Sequence, residues 1–434
     1  MLPTTDHSLH STLVTLMTIV LVGGALALLS GFLRRSRPGF AIGTAVGVAF
    51  AARVMGAALI SLTPFAQALR GGDELGFLGK ARLIAATPPG ATEWTHALLR
   101  ELHVFTLAVQ RYLFDSPELA LRVTQVGIAV CGLMLLAATV YELAGPRASV
   151  VAMWLLALEP SSIFFSSLLH KEANMLLAIG LVGFAGARIW KSGQPRYLAL
   201  IVLGCLIAVA TRHYAGWFLI AAGAAIVLHA GLRAENRAAM RSLVLVALVV
   251  LFAAIAAPTV FQASTNESLE KNLQGSQEAN TSDSSNLKLE QVDFSTRGAI
   301  VRNLPKRVLD VLLRPFPWQL GNISQGLGLL GTTTAYLALF FLIRTGIRRR
   351  GEIMARAGPL VYLALFLLIA YSLSAGNAGT SFRYRVQLVS LFICLIVTLW
   401  EPAKRSRAEP SPAGLSASLR PRGSGPAALS ASPR

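Results

Sequence analysis

The chain has 434 residues, is 54% hydrophobic and only 14% charged, with a mean hydropathy of +0.58. A soluble domain carries roughly a quarter charged residues, so a water-soluble enzyme is excluded. The net charge of +18 falls largely in short turns between apolar blocks, with no basic-aromatic motif, which points away from nucleic acid and toward anionic membrane lipid.

The apolar blocks recur at about 20 residues, the length of a helix crossing the hydrocarbon, rather than as the ~10-residue alternation of a spanning barrel. The chain reads as an all-α polytopic membrane protein with about eleven transmembrane helices. The first block, 13–33, follows a segment without Lys or Arg and lacks a convincing cleavage site, so it is taken as a span and not a signal peptide. Arg34, Arg35 and Arg37 follow it, which by the positive-inside rule places this turn in the cytoplasm and the N-terminus outside. The second block, 40–62, returns outward and carries Arg53, which either snorkels or faces the bundle.

Residues 63–119 form a long external region whose stretch from Trp94 to Phe114 suits one or two helices lying in the interface. Spans follow at 121–141, 150–169, 175–189, 197–211, 214–232 and 243–260. The fourth of the chain's blocks is interrupted by Glu159-Pro160-Ser161-Ser162, where Glu159 is either functional or hydrogen-bonded to Ser161 or Ser162 beside a kink. A second external region covers 261–324, polar at first and aromatic again at Phe316 and Trp318. The last spans are 327–343, 360–373 and 386–400, giving an N-out, C-in membrane domain over 1–400. The Pro/Ser/Ala/Arg-rich stretch 401–434 reads as a disordered basic cytoplasmic tail. Cys131, Cys205 and Cys394 all lie in apolar blocks without CxxC spacing, which argues against a disulfide framework or a zinc site.

This topology puts five polar groups on the outer side: Asp73-Glu74, His170-Lys171-Glu172, Arg212-His213, Arg314, and Arg383-Tyr384-Arg385. Carboxylates mixed with cations suit attack of a hydroxyl or amine on a sugar whose leaving group is a lipid phosphate. A carboxylate takes the acceptor proton, while Arg and Lys hold the phosphate and its developing charge. Each piece also has an ordinary reading: a solvated acidic pair, a helix-start carboxylate with an interfacial lysine, a headgroup-level turn. Arg383 and Arg385 stand on a short outer loop shaped by Gly376, Asn377 and Gly379, where the positive-inside rule disfavours them, so an anionic partner is expected there.

The order of these features resembles the polyprenyl-phosphate-dependent glycosyltransferases of the integral-membrane GT-C superfamily, nearest to the protein mannosyltransferase and aminoarabinose transferase group. Asp73-Glu74 is similar to the acidic pair in that group's first large external loop, and Phe77-Leu78-Gly79-Lys80-Ala81-Arg82 to the helix after it. Lys171-Glu172-Ala173-Asn174 looks like its second acidic site, with Glu172 where Asp is more usual. Ala208-Val209-Ala210-Thr211-Arg212-His213 resembles its small-residue run ending in a cation. The likeness covers roughly residues 53–230, while the 314–318 segment and the Gly379–Arg385 run lie outside it and look more like bacterial polysaccharide-assembly membrane proteins.

The resemblance implies that Asp73, rather than Glu74, is the general base and Glu172 a supporting carboxylate. It also implies that Arg212 and the later arginines contact the donor phosphate. The candidate catalytic set is therefore Asp73, Glu74 and Glu172, and the candidate phosphate-binding set Lys171, Arg212, His213, Arg383 and Arg385. A divalent cation on Asp73, Glu74 and Glu172 stays an open possibility. The expected activity is inverting transfer of a sugar from a polyprenyl-linked donor to a lipid, glycan or protein acceptor, on the periplasmic face of a bacterial inner membrane. No Gly-rich dinucleotide motif or Asp-x-Asp sequence points to a nucleotide-sugar donor. Two alternatives use other residues: a polysaccharide polymerase or ligase relying on Arg383, Arg385 and His213, and a lipid-linked sugar transporter relying on Arg53 and Glu159.

Overall fold

An apolar run in a membrane satisfies its backbone internally, and helices are the simplest solution. The computed structural model describes residues 9–64, 70, 72–233, 292–293, 296–314, 316, 318, 323–375 and 378–400, among which there is no strand. The helices are α1 (Leu9–Arg35), α2 (Gly43–Leu62), α3 (Gly72–Ala85), α4 (Thr92–Arg100), α5 (Leu102–Phe114), α6 (Glu118–Ala144), α7 (Pro146–Leu158) and α8 (Pro160–Ser167). They continue as α9 (Glu172–Ser192), α10 (Leu198–Thr211), α11 (His213–Arg233), α12 (Arg297–Leu313), α13 (Ile323–Arg348), α14 (Ile353–Ser374) and α15 (Ala378–Trp400).

Among the described residues, seven helices are long and apolar enough to cross a membrane: α1, α2, α6, α9, α11, α14 and α15. The α7–α8 pair, bent by 58°, adds an eighth if it is one span. These match eight of the spans expected from the sequence. The stretch 197–211 forms α10, apolar but shorter, and 327–343 lies within α13, which is not among the seven. The predicted span 243–260 and the tail 401–434 lie outside the described residues, as does most of 261–324 apart from α12. By its contacts the chain divides into Met1–Glu401 and Pro402–Arg434.

The core runs along α6 and α9, both mostly buried. Their crossing is backbone on backbone. A Cβ on Gly132 would lie 2.5 Å from the Leu176 carbonyl carbon, and one on Gly180 would lie 2.6 Å from the Gly132 oxygen. Small residues permit such close approach where no water drives helices together. At one end of α6, Glu142 accepts from Arg37 and Arg188, each at 3.0 Å. The carboxylate cluster described below lies at the other end.

The stretch from Trp94 to Phe114, expected to hold one or two helices, forms two, α4 and α5, and α3 precedes them in the same region. Leu78, Ala81, Val104, Leu107 and Ala108 form a small core of their own with Leu121 and Leu169. In α3, Glu74, Leu78 and Ala81 are buried at a spacing of four and three, so this face packs inward.

Arg53 faces the bundle and does not snorkel. It is fully buried, and its guanidinium donates to the carbonyls of Ala157 (3.0 Å) and Leu156 (3.1 Å), to Ser162 Oγ (2.8 Å) and to Ala49 O (3.1 Å). The Leu156 and Ala157 carbonyls belong to the last turn of α7, orphaned because Pro160 interrupts the helix. Glu159 caps the other side of the break, accepting from the backbone N–H groups of Ser161 (3.1 Å) and Ser162. Of the two roles open to Glu159, the structure gives it hydrogen bonding beside the kink. Arg53→Met removes every one of those donors. It is expected to cost roughly 2–4 kcal/mol through unsatisfied buried groups, read as a lower thermal midpoint in detergent. An unchanged midpoint would remove the capping role.

Candidate functional site

Helix α3 starts with two carboxylates in its first turn, where the helix dipole favours negative charge. Being adjacent on a helix, they point about 100° apart and meet different partners. Asp73 is exposed and accepts from Arg383 of α15. Glu74 is fully buried and lies against Arg122 of α6 and Arg70, the latter at 3.1 Å. Glu118 closes this network, 2.9 Å from Arg70 and 2.8 Å from Arg122, and Arg122 also donates to Ser167 O at 2.9 Å. Glu74 therefore ties α3 to α6 and to the end of α8. Of the adjacent pair expected among the catalytic groups, Glu74 is thus the one enclosed with two arginines, and Asp73 the one left exposed.

The two carboxyls also titrate apart. For Asp73, partial burial works upward, but the charge and hydrogen bond of Arg383 bring the net value below the ordinary aspartate range. For Glu74, burial outweighs both arginines and raises it.

A second ion pair lies beside the first. Glu172, fully buried at the start of α9, accepts from Arg212 at 2.5 Å. Arg212 sits in the extended link between α10 and α11, with its guanidinium 4.8 Å from the centre of the Tyr384 ring. Tyr384 stacks on Tyr371 at 4.4 Å and is hydrogen-bonded to Tyr214. Consecutive residues of α15 thus serve the two pairs: Arg383 holds Asp73, and Tyr384 lies under Arg212. His170, in the link before α9, is buried and close enough to Asp73, Glu172 and Arg383 to interact electrostatically. Burial and Arg383 push its pKa down to about 3, so the ring is neutral.

The structure thus brings together Asp73, Glu172, Arg212 and Arg383, with His170 among them. Lys171 lies at the edge, its Nζ 5.3 Å from the centre of Phe77, and burial with Arg212 lowers its pKa. His213 is exposed and packs edge-on against Trp217 at 5.5 Å.

Arg385 goes elsewhere. It is buried and donates to Val311 O (3.1 Å), Thr332 Oγ1 (3.3 Å) and Arg314 O. The sequence reading placed Arg383 and Arg385 together on a loop, but α15 already starts at Ala378. Residues two apart on a helix face nearly opposite ways, so only Arg383 reaches the carboxylates while Arg385 clamps α12 and α13.

The sequence reading missed the network of Arg70, Glu118 and Arg122, and it named Tyr384 without its partners Tyr214 and Tyr371. Arg122 carried a usable signal: a charge inside a predicted span, with Glu118 one turn before it. The tyrosines carried none, since they lie on three separate helices.

The open question of a divalent cation bears on Asp73, Glu74 and Glu172. Among the described residues no three His, Cys, Asp or Glu side chains form a group able to hold one. Asp73 and Glu172, moreover, are each engaged by a guanidinium that would repel it.

No family model and no curated protein sequence matches the chain. Among solved structures it is similar to the archaeal oligosaccharyltransferase AglB from Archaeoglobus fulgidus, in complex with an inhibitory peptide and a dolichol-phosphate. The TM-score is 0.45 at 15% identity, over 81% of this chain and 50% of that one. The chain therefore spans about half the length of that protein.

Proposed function

We propose that this chain is a membrane glycosyltransferase moving a sugar from a polyprenyl-phosphate-linked donor to an acceptor hydroxyl or amine. The site faces the outer, periplasmic side of a bacterial inner membrane and serves cell-surface glycan or glycolipid assembly. The observation that carries this reading is an exposed carboxylate, Asp73, paired with Arg383 beside the buried Glu172–Arg212 pair.

Asp73 takes the proton from the acceptor as the new bond forms at the anomeric carbon. The bond from that carbon to the phosphate oxygen breaks on the opposite face, so the anomeric configuration inverts. The lipid phosphate leaves with the electron pair, and Arg383 and Arg212 stabilise its charge. Glu172 fixes Arg212. A carboxylate gripped by a guanidinium is a weak base, so the grip has to loosen before reaction. The donor phosphate competes with Asp73 for Arg383 and frees the base, which sets an order of donor before acceptor.

The polymerase or ligase reading relies on Arg383, Arg385 and His213; of these the donors of Arg385 are taken by α12 and α13 and His213 packs on Trp217, while Arg383 stays with Asp73. The transporter reading leans on Arg53 and Glu159, which cap a helix break.

The test is binding of undecaprenyl phosphate to the detergent-solubilised protein. Arg383→Ala is expected to weaken it about tenfold or more, as loss of one charge-assisted contact does. Arg35→Ala, at the exposed end of α1, serves as the control and is expected to change nothing. Equal binding by wild type and Arg383→Ala overturns the assignment.

A further inference from the structure

His170 is 2% exposed, and its Nδ1 is buried without a hydrogen-bond partner. Two residues on, Glu172 gives one oxygen to Arg212, while Oε2 is buried and likewise unpartnered. A buried polar group left without a hydrogen bond is costly, so two in one cluster call for a partner.

The loop that carries His170 is firmly held. Arg122 donates to Ser167 O at 2.9 Å on one side of it. His103 Nε2 lies 3.1 Å from Leu169 O on the other, and Phe77 backs His103 edge-on at 5.2 Å. The imidazole is thus presented at a fixed place, among Asp73, Arg383 and Glu172.

We propose that His170 is a substrate-contacting residue whose Nδ1 hydrogen-bonds a hydroxyl of the sugar carried by the lipid phosphate, with Glu172 Oε2 receiving a second hydroxyl. This rests on the glycosyltransferase reading and deepens it. The chemistry of the unpartnered atoms selects a sugar. A bare phosphate offers only acceptors and is repelled by Glu172. A cation meets Arg212 and Arg383. A sugar hydroxyl both donates and accepts, so it can give its proton to Glu172 Oε2 and pair with Nδ1 in either sense. Burial and Arg383 keep the ring neutral, so Nδ1 is able to accept. Its position fits as well, since the group next to a phosphate held by Arg212 and Arg383 is the sugar.

The experiment compares binding of undecaprenyl phosphate with that of undecaprenyl phosphate carrying glucose, mannose or arabinose, using the full-length protein in detergent. Wild type is expected to prefer at least one sugar-bearing lipid. His170→Leu is expected to lose about three- to tenfold on that lipid, the worth of one neutral hydrogen bond, and nothing on the bare lipid phosphate. His170→Asn, which keeps a polar atom near the Nδ1 position, is expected to recover most of the loss. An equal loss on both lipids makes His170 a support for its loop and overturns the proposal, as does no loss on either. A wild type that binds the bare lipid phosphate but prefers no sugar-bearing form defeats this proposal alone. A wild type whose binding of the bare lipid equals that of Arg383→Ala defeats the glycosyltransferase reading, and this inference with it.

Discussion

Asp73→Asn is expected to lower sugar transfer by about 10²–10⁴-fold, the usual contribution of a positioned general base. Binding of undecaprenyl phosphate is expected to hold or to tighten, because Asn no longer competes for Arg383. This separation of chemistry from binding is what a base, and not a phosphate ligand, produces. Asp73 is exposed, so the thermal midpoint is expected to stay near that of wild type. The pH profile adds a second reading. Transfer needs Asp73 deprotonated, and Arg383 holds its carboxyl below the ordinary aspartate range. In kcat/KM, which reports the free protein, activity is thus expected above that depressed value and lost as pH falls through it. Removing Arg383 lets the carboxyl rise, so the residual activity of Arg383→Ala is expected to fall off at higher pH than that of wild type. Wild-type rates in Asp73→Asn would discard the assignment of the base.

The largest stability effect is expected at Arg122. Arg122→Met leaves Glu74 and Glu118 with one cation fewer and strips Ser167 O of its donor, all at a fully buried site. Breaking a buried pair by removing one partner typically costs about 3–5 kcal/mol, because a charge is left uncompensated. The thermal midpoint in detergent is expected to drop by several degrees. Replacing the partners together, as in Glu74→Gln with Arg122→Gln, is expected to cost less, since neither charge then remains unpaired. Glu74→Gln alone separates the adjacent carboxylates. It is expected to lose stability yet keep transfer in the protein that remains folded, the reverse of Asp73→Asn. A midpoint for Arg122→Met equal to wild type, or transfer abolished in folded Glu74→Gln, would contradict the division of labour within the pair.

What was legible in the sequence follows the range of the interactions involved. Apolar blocks of spanning length are a local property, and eight of the expected spans appear as long helices or as the bent α7–α8 pair. The break at Glu159-Pro160 is equally local, because Pro removes a donor wherever it stands. The destination of Arg53 was not local. Apart from Ala49 O, its acceptors are about a hundred residues away on α7 and α8, and nothing near position 53 names them. The split between Arg383 and Arg385 turned on a helix start at Ala378, in a stretch whose glycines read as a loop. The split between Asp73 and Glu74 followed from α3, whose inward face takes Glu74 with Leu78 and Ala81. In both cases the residue types were visible, but the direction of each side chain depended on the backbone beneath it. The meeting of Asp73 with Arg383, 310 positions apart, was expected only as a shared side of the membrane.

The crossing of α6 and α9 bears on how this protein can drift over generations. At Gly132 and Gly180 the two backbones touch directly, so no neighbouring side chain can shrink or turn to absorb a new methyl group. Glu172 begins the same helix, eight positions before Gly180, so where that contact seats α9 also sets where Glu172 stands. Exposed apolar residues such as Val202, Leu203 and Leu206 of α10 are free to exchange among apolar types. The two glycines are not, and the inherited constraint on the Glu172–Arg212 pair extends to positions that touch neither residue.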